Sequence, residues 1–148
     1  PVEKDIRCGF AGQQGPDTPR QRLVSALPVV VRDRILHGDY QDYADFLLRC
    51  RIVLNFGFTG SGERLQVKGR VPETALAKAA LLEVEGSPAG KWFPPECMFF
   101  YKDSESAKKI IETASADEIF DKAELFSRKM KDYDPELVYG EMLSRVGL

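Results

Sequence analysis

Positive charge is scarce in this sequence by the standard of a nucleic-acid-binding protein. The chain has 148 residues, with 21 Lys and Arg against 23 Asp and Glu, and a formal net charge of -2. Proteins that coat a polyphosphate backbone rely on an excess of cations, so we predict no nucleic-acid partner.

Long apolar runs are missing too, because no stretch approaches the roughly 18 consecutive apolar residues of a membrane span. The charged start, Pro1-Val-Glu-Lys-Asp5, differs from an apolar signal peptide. We therefore expect a soluble protein with no membrane span.

Cysteine and histidine are equally sparse. The three cysteines, Cys8, Cys50 and Cys97, are odd in number and lie far apart within apolar runs. This pattern favours buried thiols in a reducing, cytoplasmic compartment over a disulfide framework. The one histidine, His37, stands on a predicted turn and is interpreted as a surface residue instead of a catalytic base. The sequence therefore assigns no catalytic residue.

The acidic residues do not predict a metal site. Asp39, Asp42 and Asp45 recur at three-residue spacing along one predicted helix, but no Cys lies beside them. Acidic residues in the first turns of a helix complement its dipole and are well solvated there. We therefore predict no bound metal and no cofactor.

Strand-like and helix-like segments alternate along the chain, with no internal repeat and no low-complexity linker. This alternation predicts an α/β fold, a Rossmann-like parallel sheet sandwiched by helices with a helical C-terminal tail, forming a single domain over residues 1–148. The chain begins with proline, which indicates processing or an excised piece of a longer protein. The predicted strands are 6–11, 29–35, 52–56, 80–84 and 98–101. The predicted helices are 18–27, 40–49, 72–80 and 103–113, with two more beginning at a Ser115–Glu118 capping box and at residue 134.

A cationic cluster precedes the third predicted helix. Ligands of an open parallel sheet bind beyond the carboxyl ends of its strands, and Lys68 and Arg70 flank Gly69 just before Pro72 opens the helix. Two cations next to helix N-terminal amides provide the chemistry that holds a diphosphate. A carboxylate one turn inside, Glu73, could accept hydrogen bonds from the vicinal hydroxyls of a ribose. Solvated loop cations and a glutamate that complements the helix dipole remain the alternative interpretation.

The longest sequence motifs lie in the second half of the chain. These are Arg51-Ile-Val-Leu-Asn-Phe-Gly57, the run from Leu65 to Glu85 with Lys68-Gly-Arg-Val-Pro-Glu73 inside it, and Trp92-Phe-Pro-Pro followed by Tyr101-Lys-Asp103. Together with residues 5–12 and 43–47, they resemble the C-terminal, donor-binding half of GT-B glycosyltransferases. The resemblance is closest to the "glycosyl transferases group 1" type and its spore-maturation-protein relatives.

The resemblance implies a function and a set of site residues. Lys68 and Arg70 would contact the diphosphate of a nucleotide sugar, and Glu73 would contact its ribose. Asn55, Gly57 and Gly12 would line the pocket. In this family a second, N-terminal domain closes on the donor and normally supplies any general base, so this chain is expected to need such a domain as a partner, in cis or in trans, for glycosyl transfer.

Two other functions remain open at this stage. Gly9, Gly12 and Gly15 follow a strand, and Asp33 lies near the end of the next one, as in an NAD(P)-type dinucleotide-binding domain. The second alternative is a non-catalytic interaction or scaffold domain. Its motivation is the aromatic set Trp92, Phe93, Phe99 and Tyr101, although such residues are more often core and loop anchors.

Overall fold

The computed structural model describes residues 2–32, 40–59 and 62–134, together with Ser144. Within these ranges the chain forms a five-stranded sheet in which every strand is parallel to its neighbours. The strands are β1 (Ile6–Ala11), β2 (Val30–Arg32), β3 (Cys50–Leu54), β4 (Ala80–Val84) and β5 (Met98–Tyr101). The helices are α1 (Pro19–Ser25), α2 (Tyr40–Arg49), α3 (Arg70–Leu76), α4 (Ser104–Thr113) and α5 (Ala116–Met130).

The order of the strands across the sheet is β2-β1-β3-β4-β5. β1 pairs with β2 on one side and with β3 on the other, so the chain winds outward in both directions from the β1–β3 pair. A reversal of this kind opens a crevice at the carboxyl ends of the two central strands, which is where ligands of doubly wound sheets bind. The predicted α/β class with a parallel sheet between helices is confirmed.

Helices cover both faces of the sheet, because the buried side chains of β3 and β4 are apolar on both sides with the exception of Glu83. Ile52 and Leu54 pack with α1 and α4 on one face, whereas Val53 and Leu81 point to the other face, toward α2 and α3. Helix α5 contributes side chains to the packing on both of these faces. No helix within the described ranges is long and apolar enough to cross a bilayer.

Local sequence signals account for most element boundaries. Thr18 caps α1 and Asp103 caps α4 with side-chain oxygens that accept backbone N–H groups, as N-cap residues do. Some predicted boundaries and one predicted cap were wrong. Strand β3 occupies Cys50–Leu54 instead of 52–56, and α3 occupies Arg70–Leu76 instead of 72–80. The reciprocal capping box lies at α4, between Asp103 and Ser106, whereas at α5 the Ser115 hydroxyl accepts from the Glu118 N–H.

The aromatic residues divide between core and surface. Phe93, Phe99 and Tyr101 are buried, whereas 56% of Trp92 is exposed. All three cysteines are free and buried, as predicted. His37, Asp33 and Asp39 lie outside the described residues, as does the helix predicted to begin at 134, apart from its first residue and Ser144.

Candidate functional site

A cavity of about 380 Å³ opens at the carboxyl ends of β1 and β3. Its size is within the range of about 300–1,000 Å³ that small-molecule pockets occupy. The end of β1, the residues after β3 and the start of α3 all contribute to its wall. The cavity therefore lies at the point where the sheet reverses its winding. Five of the six residues predicted for the site line it: Gly12, Asn55, Lys68, Arg70 and Glu73.

The sixth residue, Gly57, is buried behind the cavity wall. A Cβ atom at this position would lie 2.5 Å from Glu83 Oε1 and 2.9 Å from Val84 Cγ1. Both separations are well below van der Waals contact, so the absence of a side chain lets the backbone pass close to β4. The structure thus places Gly57 against β4, outside the described residues that line the cavity.

The turn that opens α3 satisfies part of its own hydrogen-bonding capacity. The Val71 N–H donates to the Lys68 carbonyl at 3.0 Å, and the Glu73 N–H donates to the Gly69 carbonyl at 3.1 Å. Pro72 has no N–H. The first turn is therefore less rich in free amides than the sequence predicted, and the positive character of the cavity comes mainly from side chains.

Arg70, Tyr43 and Glu73 form a hydrogen-bonded cluster on one side of the cavity. The Arg70 guanidinium donates to the Tyr43 hydroxyl and lies 3.6 Å from Glu73 Oε2, and the same hydroxyl donates to that oxygen. The guanidinium also lies 5.0 Å from the centroid of the Tyr43 ring. Its side chain is 16% exposed, and burial lowers the pKa of Arg70. A cation removed from water in this way gains from an anionic ligand.

A third cation, Arg20, faces the same cavity from the first turn of α1. It donates to the Gln13 carbonyl at 2.8 Å and lies 5.4 Å from the centroid of the Phe56 ring. Burial is the largest cause of the lowered pKa of Lys68, and the positive charge of Arg20 adds to it. Arg20 lowers the pKa of Arg70 as well. Mutual repulsion of this kind is what a bound polyanion relieves.

Sequence reasoning missed Arg20 and the role of Tyr43 in this wall. The helical spacing of Tyr43, Phe46 and Leu47 indicates only an apolar face of α2 and gives no sign of a role for the Tyr43 hydroxyl. Arg20 follows Pro19 at the start of α1. The available signal was its place in the first helix after β1, because helices that follow central strands begin at the ligand crevice.

Asn55 forms part of the floor of the cavity and is held from three directions. Its N–H donates to the Leu82 carbonyl at 2.9 Å, and its own carbonyl accepts from the Tyr101 hydroxyl at 2.9 Å. Its Nδ2 donates to Glu83 Oε2 at 2.7 Å. The Asn55 side chain is therefore fixed in one orientation before any ligand arrives.

The glycines of the dinucleotide alternative occupy different environments. Gly9 lies inside β1, where a Cβ would collide with Cys50 Sγ and with the Phe46 ring, so this glycine serves packing. Gly15 precedes a turn, and α1 begins at Pro19 with Thr18 as its cap. The helix thus begins several residues beyond the glycines, whereas the dinucleotide motif joins strand, glycines and helix directly.

No family model matches this sequence, and no curated protein matches it. Solved structures do match its fold. The crystal structure of Anabaena Alr3699/HepE in complex with UDP superposes with a TM-score of 0.68 at 12% identity, over 94% of this chain and 48% of that one. The same protein in complex with UDP-glucose gives a TM-score of 0.69 at 13% identity, over 96% of this chain and 49% of that one. This chain therefore spans about half the length of the structures it resembles.

A third structure, of the same Anabaena protein in complex with UDP and glucose, gives a TM-score of 0.67 at 14% identity. At this level of identity the likeness shows the fold. Among the described residues, no group of three or more His, Cys, Asp or Glu side chains is arranged to hold a metal ion.

Proposed function

We propose that this chain is the donor-binding half of a GT-B-type glycosyltransferase and binds a nucleotide sugar in the cavity between β1 and β3. The observation that supports this most directly is the convergence of Lys68, Arg70 and Arg20 on one cavity. Three cations around a concave site at the crevice of a parallel sheet match the charge of a diphosphate. The neighbouring structures hold UDP and UDP-glucose, so uridine nucleotides are the first ligands to test.

Each polar group has a role in this proposal. Lys68, Arg70 and Arg20 neutralise the diphosphate, which is also the leaving group when the glycosyl bond breaks. Glu73 accepts from the ribose hydroxyls through Oε1, because Oε2 already accepts from Tyr43. Gly12 and Asn55 shape the floor. The role of this half is to bind and orient the donor.

The acceptor and any general base belong to a second domain, in cis or in trans. Support for this comes from the length of the chain, which covers about half of the structures that share its fold. We propose no resident metal or cofactor, and a cytoplasmic location in keeping with three free, buried thiols.

Calorimetric titration with UDP-glucose, UDP, GDP, ADP, TDP and NAD tests the proposal. We expect micromolar to millimolar binding of one nucleoside diphosphate, and a loss of about 1.5–3 kcal/mol in Lys68→Ala, the scale of a charged hydrogen bond. Lys108→Ala is the matched control, because Lys108 is exposed on α4 and pairs with Glu112 at 3.9 Å.

The alternatives give different results in the same experiment. Equal affinity of wild type and Lys68→Ala would remove Lys68 from the site. Binding of NAD without any sugar nucleotide would favour the dinucleotide-binding alternative. A stable dimer that binds no nucleotide at all would favour a scaffold domain.

A further inference from the structure

Glu83 is a fully buried carboxylate next to the cavity, and the proposed function gives it no role. It lies on β4 with 0% of its surface exposed. Oε2 accepts from Asn55 Nδ2 at 2.7 Å, and Oε1 accepts from the Val84 N–H at 2.9 Å. The Ser87 hydroxyl is a third hydrogen-bonding partner. These three contacts all satisfy the ionised form of the carboxylate, which only accepts hydrogen bonds.

A buried carboxylate at this place is unfavourable for the stability of the fold. Burying a carboxylate costs free energy that its hydrogen bonds offset only in part, and apolar residues of similar volume often serve stability as well or better. The neighbouring positions of β4 are apolar and equally buried. Departures from the apolar pattern of a core tend to occur where a site requires them.

The carboxylate determines which way the Asn55 amide faces. Because an ionised carboxylate cannot donate, the Asn55 atom that meets it must be Nδ2. The Asn55 main chain is held at the same time by Leu82 and Tyr101. With both the backbone and Nδ2 fixed, Oδ1 is the amide atom turned away from Glu83. Asn55 itself lines the cavity.

We infer that Glu83 is a positioning residue that fixes Asn55 with Oδ1 toward the ligand, so that the cavity floor accepts a hydrogen bond from a hydroxyl or N–H group of the nucleotide sugar. This inference rests on the proposed function and adds a determinant of specificity to it. The three cations recognise phosphate, which any nucleotide offers. The Asn55 acceptor instead recognises the organic part of the ligand, and it disfavours a ligand that presents a lone pair at the same point.

The test compares UDP-glucose with inorganic pyrophosphate on the wild type, E83Q, N55A and the double variant. A glutamine at position 83 can donate or accept, so the Asn55 amide loses its fixed orientation. We expect E83Q to weaken UDP-glucose binding about three- to tenfold, the scale of one neutral hydrogen bond, and to leave pyrophosphate binding within about twofold. E85Q makes the same chemical change at an exposed position two residues away and should bind both probes like the wild type.

The double variant separates positioning from a general structural effect. If Glu83 acts through Asn55, then E83Q adds no further loss to N55A, because the group that it orients is gone. E83L is the second variant and serves if E83Q folds poorly. Leucine offers Asn55 no hydrogen-bonding partner, so E83L should show the same selective loss of UDP-glucose binding. Thermal unfolding of every variant is measured alongside.

Three results would overturn the inference while leaving the proposed function in place. These are unchanged UDP-glucose binding in E83Q, an equal loss for both probes, and additive losses in the double variant. Failure of the wild type to bind either probe would instead overturn the proposed function, and this inference with it.

Discussion

The two ends of the sheet use cations in different ways. At the amino end, Lys4 Nζ donates to the carbonyls of Leu48, Cys50 and Ala77 at 3.0, 2.8 and 3.0 Å. Arg7 likewise donates to the carbonyls of Ile111 and Ala114. Leu48 and Ile111 lie in the last turns of α2 and α4, where carbonyls have no partner within the helix. These cations therefore complete the hydrogen bonding of the fold.

At the carboxyl end, the cations are only partly engaged by the protein. The Lys68 ammonium group forms no hydrogen bond or ion pair with any residue that the structure describes. Arg20 donates to one carbonyl, that of Gln13, and Arg70 interacts with two side chains, Tyr43 and Glu73. The same residue types are thus saturated by backbone at one end and available at the other. Availability to a ligand distinguishes a binding cation from a structural one, and sequence alone does not show it.

The largest expected effect concerns Lys4. Lys4→Met keeps the length of the side chain but leaves three carbonyls without their donor. We expect the free energy of unfolding to fall by about 3 kcal/mol, since hydrogen bonds to a charged group contribute about 1.5–3 kcal/mol each and some carbonyls regain water. Urea denaturation measures this loss. UDP-glucose affinity should stay unchanged, and an affinity loss larger than the stability loss would break the comparison.

Arg70→Ala is the counterpart at the carboxyl end. We expect UDP-glucose affinity to fall by about 2 kcal/mol, roughly 30-fold, because a charge-assisted contact to phosphate is removed. Arg51→Ala is the matched control: Arg51 is exposed at the amino end of β3 and donates to the Lys4 carbonyl at 2.8 Å. Titration of both variants should separate them clearly. Similar affinities for the two would contradict the assignment of Arg70.

Arg20 should matter less than Arg70, since it is held by Gln13 and lies over Phe56. We expect Arg20→Ala to weaken UDP-glucose binding about fivefold, close to 1 kcal/mol. Arg22 lies on the same helix but donates to the Asp17 carbonyl at 2.6 Å and does not belong to the cavity lining described above. Arg22→Ala should therefore bind UDP-glucose as the wild type does. An equal loss of affinity in both variants would contradict a specific role for Arg20 and indicate a general effect on α1.

The smallest expected effects are on the pH dependence of stability. The contributions of Glu83 at the carboxyl end and of Asp5 at the amino end should change with pH in opposite directions. Burial raises the pKa of Glu83 above its ordinary value, although its hydrogen bonds to Asn55, Val84 and Ser87 oppose the shift. The folded state therefore holds this proton more tightly than the unfolded chain, so stability falls as the pH rises through the raised pKa. E83Q removes that dependence, and its melting temperature relative to wild type should rise with pH above about 4.5.

Asp5 at the amino end should behave in the opposite way. The hydrogen bonds from Arg49 hold the pKa of Asp5 below its ordinary value. Its contribution to stability is present above the pKa of the unfolded chain and is lost as the pH falls through the lowered pKa. Asp5→Asn should therefore cost melting temperature at neutral pH and converge with the wild type in acid. A melting difference that is constant from acid to neutral pH would contradict this.

Much of the fold could be predicted from the sequence, because local signals and burial agree there. Strand β4 and helix α4 occupy the predicted bounds to within one residue. Helix α3 was predicted too late and too long, since Ala77, Ala79 and Ala80 favour helix by propensity. Tertiary context prevails: Lys78 adopts a φ of 51° and ends the helix, so that the chain turns into β4.

The site was harder to predict, because it depends on contacts between residues distant in sequence. The group of Lys68, Arg70 and Glu73 is local and was visible as a motif. Arg20 reaches the cavity only because α1 follows the strand that pairs with β3. Gly57 looked like a pocket glycine, and its buried contact with Glu83 depends on the pairing of β3 with β4. Pairings of this kind are set by the whole sheet.

The burial of the native thiols has a practical consequence for spectroscopy. Cys8, Cys50 and Cys97 are at most 2% exposed, and burial raises the pKa of each, so none of them supplies the thiolate that reacts with maleimides. A cysteine introduced at the exposed cavity residue Gln13 would take up a fluorescent label without prior removal of the others. The dye would then report directly on occupancy of the crevice in the unmodified background.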